Sequence, residues 1–290
     1  MRVRAIRLAR PIGRAEWRAR GGGFTTLECA ALDLIESTDG PRHPWEKSRA
    51  AFFTSVLVNA LGRGRRPDVL DCGAGDAFFS EGLQTAIDPA SITCWDASYD
   101  DATMARLQER CMSGPGRTSF SFTRTMPSRH FDVILMLDVI EHVLDDVGFV
   151  SEIVDTCVEP ESGLVLVSVP AWQALFSRHD ELLLHHRRYA PAQCDRVLEA
   201  AGLRIIERGG LFHSLLAPRL VTTLRERAER ALGRGTSPLA ESAAATWSAG
   251  RAVTSVVDAA LRADNAVSRA AARAGMNLPG LSYWALAQKR

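Results

Sequence analysis

The sequence predicts an α/β domain in which helices cover both faces of a mostly parallel sheet. Three observations support this prediction. Short apolar runs alternate with longer amphipathic stretches from residue 68 onward, each connection has room for one helix, and a glycine-containing turn follows the first apolar run. Such alternation is typical of βα units. With 290 residues, 46% of them hydrophobic, the chain can form one large domain or two small ones.

The predicted elements follow from hydrophobic periodicity. Strands are predicted at 68–71, 91–95, 118–122, 131–137 and 164–169, with two later strands at 203–208 and 281–287. Helices are predicted near 77–87, 100–112, 145–157 and 191–201. Residues 67–213 are therefore the predicted core, and residues 280–290 carry its last strand.

Three regions flank or interrupt this core. Residues 1–23, with seven arginines in the first twenty positions and three closing glycines, predict a basic flexible arm. Residues 24–66 predict an N-terminal helical region, with helices at 27–36 and 46–61. Residues 214–279 predict a helical accessory insertion, in which Leu220 and Leu224 share one face. Three roles stay open for this insertion: a cap over a substrate pocket, simple packing on the domain, or association with a membrane surface.

The composition limits the partners. Thirty-five basic and 34 acidic residues give a net charge of +1, which indicates no nucleic-acid partner. Six scattered cysteines without C-x-x-C spacing predict reduced thiols, and we expect neither disulfides nor a metal site. No apolar run approaches the ~20 residues of a membrane span, and the N-terminus lacks the apolar core of a signal peptide. We expect a cytoplasmic protein. Peripheral membrane contact and the oligomeric state stay open.

The strongest motif lies where the first strand ends in a turn and a helix. It consists of Asp71, Cys72, Gly73, Ala74 and Gly75. Glycines let the backbone approach a ligand where a Cβ would block it, so this is a candidate nucleotide-binding turn. A tight corner without a ligand is the alternative interpretation.

The surroundings of this turn disfavour NAD. A dinucleotide fingerprint requires glycine or alanine near the position of the bulky Phe78. An acid before the turn, here Asp71, suits a cofactor with an amino group, as the methionine part of S-adenosylmethionine has. Asp96 ends the second strand, where a carboxylate can accept both ribose hydroxyls. Its alternative role is an N-cap for the helix predicted near Tyr99.

A second polar group follows the fourth strand, where Leu137, Asp138 and Val139 lead to a Glu-His pair. Open α/β sheets bind ligands at the carboxyl ends of their strands. We therefore predict that His142 shapes the site or acts as a base. A structural histidine hydrogen-bonded to the loop is the alternative interpretation.

These motifs together, D-C-G-A-G-D, Asp96 and L-D-V-I-E-H-V, resemble class I S-adenosylmethionine-dependent methyltransferases, especially the broad group of ubiquinone and menaquinone biosynthesis methyltransferases. The resemblance covers residues 44–213 and 280–289. It implies a Rossmann-like seven-stranded sheet whose last strand inserts antiparallel between the fifth and sixth. It also implies S-adenosylmethionine as cofactor and S-adenosylhomocysteine as product. The sequence departs from the common pattern at Cys72, where glycine is usual, and lacks an adenine-contacting acid at 123–126.

The resemblance assigns the cofactor contacts to three segments. They are the first-motif residues 71–75, Asp96 with Ala97, and the segment after the fourth strand with Leu137, Asp138, Val139 and His142. Met126 is a further predicted contact.

The segment after the fifth strand is predicted to form the acceptor side, because it concentrates ionisable and aromatic residues at the ligand edge of the sheet. The candidate bases, needed for a hydroxyl or ammonium acceptor, are ranked His186, His179 and His142. The candidate substrate contacts are Trp45, Trp172, His179, His186, Arg187, Arg188 and Tyr189. The alternative interpretation of the arginines is that they are ordinary surface or helix-capping charges. The alternative interpretation of the tryptophans is that they are core residues.

The sequence as a whole predicts an S-adenosylmethionine-dependent methyltransferase acting on a small molecule. Together with 43–46 and 278–282, the acceptor segment resembles a bacterial branch associated with glycan, lipid or secondary-metabolite pathways. A cofactor-binding regulatory or scaffold protein without turnover is the main alternative, and an NAD-dependent oxidoreductase is the other.

Overall fold

The computed structural model describes residues 15–18, 24–27, 42–62, 64–114, 117–233 and 249–290. Its strands are β1 Ala15–Arg18, β2 Phe24–Leu27, β3 Asp68–Cys72, β4 Ser91–Trp95, β5 Ser119–Thr123, β6 Val133–Leu137, β7 Leu164–Pro170, β8 Leu203–Leu211 and β9 Ser282–Lys289. Its α-helices are α1 Pro44–Leu61, α2 Phe78–Ala86, α3 Asp101–Met112, α4 Asp146–Cys157, α5 Arg178–Leu182, α6 Pro191–Ala200, α7 Leu216–Ala231 and α8 Arg251–Arg273. Short 3₁₀ turns lie at Ile140–His142, Gln173–Leu175 and His213–Leu215.

Seven strands form one sheet in the order β5-β4-β3-β6-β7-β9-β8. Strands β3 to β7 run parallel to one another, whereas β9 lies antiparallel between β7 and β8. This topology confirms the sheet that the sequence predicts. It also brings the carboxyl ends of β3, β4, β6 and β7 to one edge, where open α/β sheets bind ligands.

The two faces of the sheet are covered by different helices. Helices α4 and α6 bury Phe149 and Leu198 against one face, while α1, α2, α3 and α8 bury residues such as Phe53 and Leu261 against the other. Every position of β7 is buried as a result. A strand covered on both faces is uniformly apolar rather than alternating, which explains the near-continuous apolar run in this part of the sequence.

Between β8 and β9 the described residues form the helices α7 and α8, and α8 lies against α1. Asn265 Nδ2 donates to Ser48 Oγ (3.0 Å), and Arg269 Nη1 donates to Ser55 Oγ (3.0 Å). Helix α1 begins with a proline, which suits the first helical position, and His43 Nδ1 accepts the Trp45 backbone N–H (3.1 Å). The insertion and the N-terminal helix are therefore packed together on one face of the sheet.

The N-terminal region differs from the prediction. Strands β1 and β2 pair antiparallel, so Ala15–Arg18 is a strand within the predicted flexible arm, and Leu27 ends a strand rather than beginning a helix. The physical reason is local composition: Trp17 and Phe24 are aromatic, Thr25 and Thr26 are β-branched, and such residues favour strands. The remainder of the arm and of the predicted helix at 27–36 lies outside the described residues.

None of the described helices combines the length and the apolar character needed to cross a membrane.

Candidate methyl-donor and acceptor site

A cavity of about 470 Å³ opens at the carboxyl edge of the sheet. Its wall comes from the turn after β3, the ends of β4 and β6, the segment between β7 and α6, and helices α1 and α7. The predicted residues in this wall are Trp45, Asp71, Gly73, Ala74, Gly75, Asp96, Leu137, Asp138, Val139, His142, His179 and Arg188. The sequence motifs therefore converge on one place.

The turn after β3 is shaped by its glycines. Gly73 and Gly75 have φ of 65° and 51°, in the left-handed region that favours glycine. A Cβ on Gly73 would lie 2.9 Å from Val139 Cγ2, so no larger residue fits there without a shift. The turn thereby brings main chain to the cavity wall.

Asp71 lies buried beside this turn. Ser80 Oγ donates to Asp71 Oδ2 (2.6 Å). Burial raises the pKa of Asp71 to about 7. The Ser80 bond and Arg49 lower the pKa, and the charge of Asp96 raises it. A cationic ligand group at this carboxylate would offset part of the cost of burying its charge.

Asp96 ends β4 and is oriented by three donors. Gly75 N donates to Oδ2 (3.0 Å), and Ser98 N and Oγ donate to Oδ1 (2.8 and 2.6 Å). The alternative role as a helix cap is wrong, because the following helix is capped by Asp100, which accepts from Thr103 N (2.7 Å). Asp96 is held at the cavity wall instead.

Asp138 directly follows β6 and lies in the cavity wall. It forms an ion pair with Arg49 and accepts from Ser168 Oγ (2.9 Å). The Arg49 guanidinium also lies 4.4 Å from the centre of the Trp45 ring. Trp45 is therefore part of a cation–π contact at the wall, where such a contact contributes about 0.5–1 kcal/mol.

The other end of the cavity is organised by Asp180, which is fully buried. It accepts from Arg188 Nε (2.8 Å), His185 Nδ1 (3.0 Å), Ser177 N (2.9 Å) and, at 3.5 Å, Arg219 Nη2. Burial alone would raise the pKa of Asp180, but the His185 bond and the Arg188 charge outweigh it and hold the pKa well below its usual range.

Three histidines line this end, namely His142, His179 and His185. Burial, followed by the nearby His185 and His186, lowers the pKa of His142 to about 3. Burial, followed by the Arg219 charge, also lowers the pKa of His179. The rings of His142 and His185 meet edge to face with centroids 4.7 Å apart. His142 and His179 are therefore neutral imidazoles at neutral pH.

Seven predicted site residues are absent from the described cavity wall. The side chains of three of them, Trp172, Tyr189 and Arg187, form hydrogen bonds with other parts of the protein. Trp172 Nε1 donates to Gly280 O (2.8 Å). Tyr189 Oη donates to Asp146 Oδ2 (2.7 Å), and Arg187 Nη1 donates to the same atom (2.6 Å). These side chains tie the acceptor segment to the core. Their role as substrate contacts stays a prediction.

His186 also lies outside the described wall of the cavity. Its backbone N–H donates to Glu141 O (2.9 Å), and its Nε2 atom is buried away from solvent. The sequence ranks His186 first among the candidate bases, whereas the described wall contains the second and third candidates, His179 and His142. Alternation along the extended segment turns neighbouring side chains to different sides, which places His185 in the wall instead.

The three remaining predicted contacts belong to the core. Cys72 is buried, and Ala97 and Met126 are half-buried and pack against the hydrophobic cluster beneath the sheet. They are absent from the described cavity wall. No contact in the structure tests them, so their role as cofactor contacts stays a prediction.

The polar wall residues that sequence reasoning did not name include Arg42, Arg49 and Arg219. Asp180 and His185 lie in the predicted acceptor segment but were not singled out as site residues. Asp180 left a signal, because Ser177-x-x-Asp180 has capping-box spacing and the structure forms that box. His185 stands beside His186, but residue type alone could not rank them. Arg219 left no sequence signal, because it reaches the cavity from α7, which follows β8 in the chain.

Comparisons with known proteins agree with this architecture. A family model described as a methyltransferase domain matches residues 45–208. A Mycolicibacterium smegmatis protein, provisionally assigned as an S-adenosylmethionine-dependent methyltransferase, is 30% identical over 171 residues. That match covers 58% of this chain and 63% of the relative, which is less than two thirds of the relative's length.

A solved structure from Galdieria sulphuraria, provisionally assigned as a sarcosine dimethylglycine methyltransferase, shares the fold. Its TM-score is 0.50 at 14% sequence identity, and the match covers 82% of this chain and 83% of that one. The family model spans more than half of the chain, and its matched region carries both the glycine turn and the histidine segment. The chain therefore belongs to the methyltransferase domain family.

Proposed function

We propose that this protein transfers a methyl group from S-adenosylmethionine to a small-molecule acceptor of a biosynthetic pathway, such as a secondary metabolite, a glycan or a lipid precursor. The observation that carries the proposal is the division of one cavity into two ends. Carboxylates beside a glycine turn line one end, and neutral imidazoles line the other.

The carboxylate end suits the cofactor in its chemistry. Asp71 would hold the amino group, because its buried carboxylate gains most from a cation. Asp96 would accept the ribose hydroxyls, and the main chain at Gly73 would lie against the ligand. The bound cofactor supplies a methyl group on a positively charged sulfonium. A wall that carries several carboxylates favours such a cation.

The volume of the cavity supports a small acceptor. A volume of about 470 Å³ falls within the roughly 300–1,000 Å³ typical of small-molecule sites. Trp45 from α1 and Arg219 from α7 complete the wall above the sheet edge. Of the roles left open for the insertion, a wall of the acceptor pocket is the one we propose, with α8 packed on the domain beneath it.

His179 is the proposed general base for a hydroxyl or ammonium acceptor. It lines the cavity, and its lowered pKa leaves the ring neutral and able to accept a proton on nitrogen. The surrounding side chains align the acceptor with the methyl group and exclude water, which is the main contribution of the protein to such a transfer.

The test uses methyl-labelled S-adenosylmethionine with sets of phenolic, carboxylic, amine and glycosyl acceptors. His179→Ala is expected to reduce transfer about 100-fold, the usual contribution of a general base, while S-adenosylhomocysteine affinity stays within about twofold. His186→Ala is the matched control and should retain transfer, because His186 lies outside the cavity wall.

Two outcomes would contradict the proposal. Transfer that survives His179→Ala and disappears with His186→Ala would place the base elsewhere. A protein that binds S-adenosylhomocysteine tightly and methylates no acceptor in any set would instead support a regulatory or scaffold role.

A further inference from the structure

Three side chains at the acceptor end of the cavity converge in a way that proton transfer alone does not explain. Donor atoms of Glu141, His142 and His185 all lie within 4.8 Å of one another. Glu141 and His142 stand on the single 3₁₀ turn after β6, and His185 comes from the segment after α5. All three line the cavity.

Both imidazoles are already oriented by other groups. His185 Nδ1 is hydrogen-bonded to Asp180 Oδ1 (3.0 Å), which leaves its other ring nitrogen for a ligand. This carboxylate–histidine arrangement is the usual second layer behind a metal-binding histidine. Asp180 is in turn fixed by Arg188 and Ser177. The orientation of His185 is therefore set by a buried network.

His142 is held in a comparable way. Its ring meets the His185 ring edge to face with centroids 4.7 Å apart, while its Nδ1 atom is buried and forms no hydrogen bond with any residue of the described part of the chain. A buried polar atom without a partner is uncommon and requires an explanation. A ligand between His142 and His185 would provide one.

The donor set indicates the chemistry of that ligand. One carboxylate oxygen and two imidazole nitrogens suit a divalent transition-metal ion, and Zn²⁺ binds such sets with bonds of about 2.0–2.2 Å. Donors on one ion then lie about 3–4 Å apart, so small side-chain rotations would close this cluster. Glu141 has no solvent exposure, and a bound cation would compensate a carboxylate at that depth.

We propose that Glu141, His142 and His185 bind a divalent transition-metal ion, with Zn²⁺ as the first candidate, whose open coordination position takes an oxygen atom of the acceptor. Three protein ligands leave such a position in catalytic zinc sites. This proposal replaces the expectation from the sequence that the protein has no metal site. The role of the ion in positioning the acceptor rests on the proposed function, whereas the binding of the ion does not.

The test measures metal binding directly. Protein freed of metal by chelator dialysis is titrated with Zn²⁺ by calorimetry and with Co²⁺ by visible absorption. The wild-type protein should bind one equivalent, with Co²⁺ giving the visible spectrum of a site with nitrogen ligands. His142→Gln and His185→Gln should each weaken Zn²⁺ binding at least tenfold, as the loss of a ligand does.

His130→Gln is the matched control. His130 is also paired with a carboxylate, Glu159 at 3.9 Å, but it precedes β6 at the opposite edge of the sheet. Its replacement should leave Zn²⁺ affinity unchanged. The far-ultraviolet circular dichroism spectrum and the cooperative thermal unfolding of the metal-free samples should be retained in all three variants, which shows that they are folded.

The proposal is overturned if the wild-type protein binds no Zn²⁺ or Co²⁺, or if the His142→Gln, His185→Gln double variant binds Zn²⁺ as tightly as the His130→Gln control. The first result would leave a buried Glu-His hydrogen-bond network. Metal binding without methyl transfer would reject the proposed function while upholding this site.

Discussion

The two ends of the cavity hold their carboxylates differently. At the carboxylate end, Asp71 and Asp96 stand on neighbouring strand ends and accept hydrogen bonds from hydroxyl and main-chain donors. At the acceptor end, Asp180 is enclosed by Arg188, His185 and a more distant Arg219. The carboxylate end therefore keeps negative charge available for a ligand. At the acceptor end, neighbouring cationic groups neutralise Asp180, and these ion pairs fix the conformation of the segment.

The largest expected effect concerns this internal network. Asp180→Ala should lower the free energy of unfolding by about 3–5 kcal/mol, because it leaves buried cationic groups without their partner. Urea denaturation measures the change. Glu181→Ala is the matched control: its pair with Arg230 is exposed, so the loss should stay below about 1 kcal/mol. Equal effects of the two variants would show that Asp180 does not organise the segment.

Substitution of Asp71 is expected to change the free energy of unfolding in the opposite direction. Its folded-state pKa of about 7 exceeds the ordinary 3.8, so the folded state binds more protons between these values and loses stability as pH rises through that window. Asp71→Asn should therefore raise the free energy of unfolding of cofactor-free protein by about 1–3 kcal/mol at pH 8, with little effect below pH ~4.

The same substitution should weaken S-adenosylhomocysteine binding, because the neutral amide cannot pair with the amino group. Thermal unfolding across pH, with and without the ligand, measures both effects. Asp88→Asn, on the surface in an exposed ion pair with Arg66, is the control and should change neither. If Asp71→Asn lowered the free energy of unfolding at pH 8, this would contradict the interpretation of Asp71 as a buried carboxylate that pairs with a cationic ligand group.

The carboxylate end could be predicted because its information is local. Asp71 and Gly73 lie within one strand–turn–helix motif, and Asp96 ends the next strand along the chain. The strand order also followed from short-range periodicity and from a resemblance that fixed the place of β9. Local patterns of this kind need no knowledge of distant contacts.

The acceptor end could not be predicted in the same way. Trp172 and Tyr189 have the residue types of binding groups, yet their hydrogen-bond partners Gly280 and Asp146 lie 108 and 43 positions away in the chain. Only tertiary packing shows that these side chains are occupied. Arg219 enters the wall through the placement of α7, which the amphipathic pattern did not fix.

The smallest expected effect concerns Trp172, one of these side chains. Trp172→Phe removes the bond to Gly280 O and should lower the free energy of unfolding by about 0.5–1.5 kcal/mol, the usual net value of one hydrogen bond. Transfer and cofactor affinity should stay within about twofold. A large fall in acceptor affinity with unchanged stability would identify Trp172 as a substrate contact.

The central claim is that Asp96 belongs to a cofactor site for S-adenosylmethionine. Calorimetric titration with S-adenosylhomocysteine tests it most directly. The wild-type protein should bind one equivalent and should not bind NADH. Asp96→Ala should lose about 1.5–3 kcal/mol of binding free energy, or roughly tenfold to 150-fold in affinity. Asp100→Ala, at the exposed helix cap four positions along, should bind as the wild type does. Equal affinity of Asp96→Ala and wild type, or no binding by the folded wild-type protein, would contradict the account.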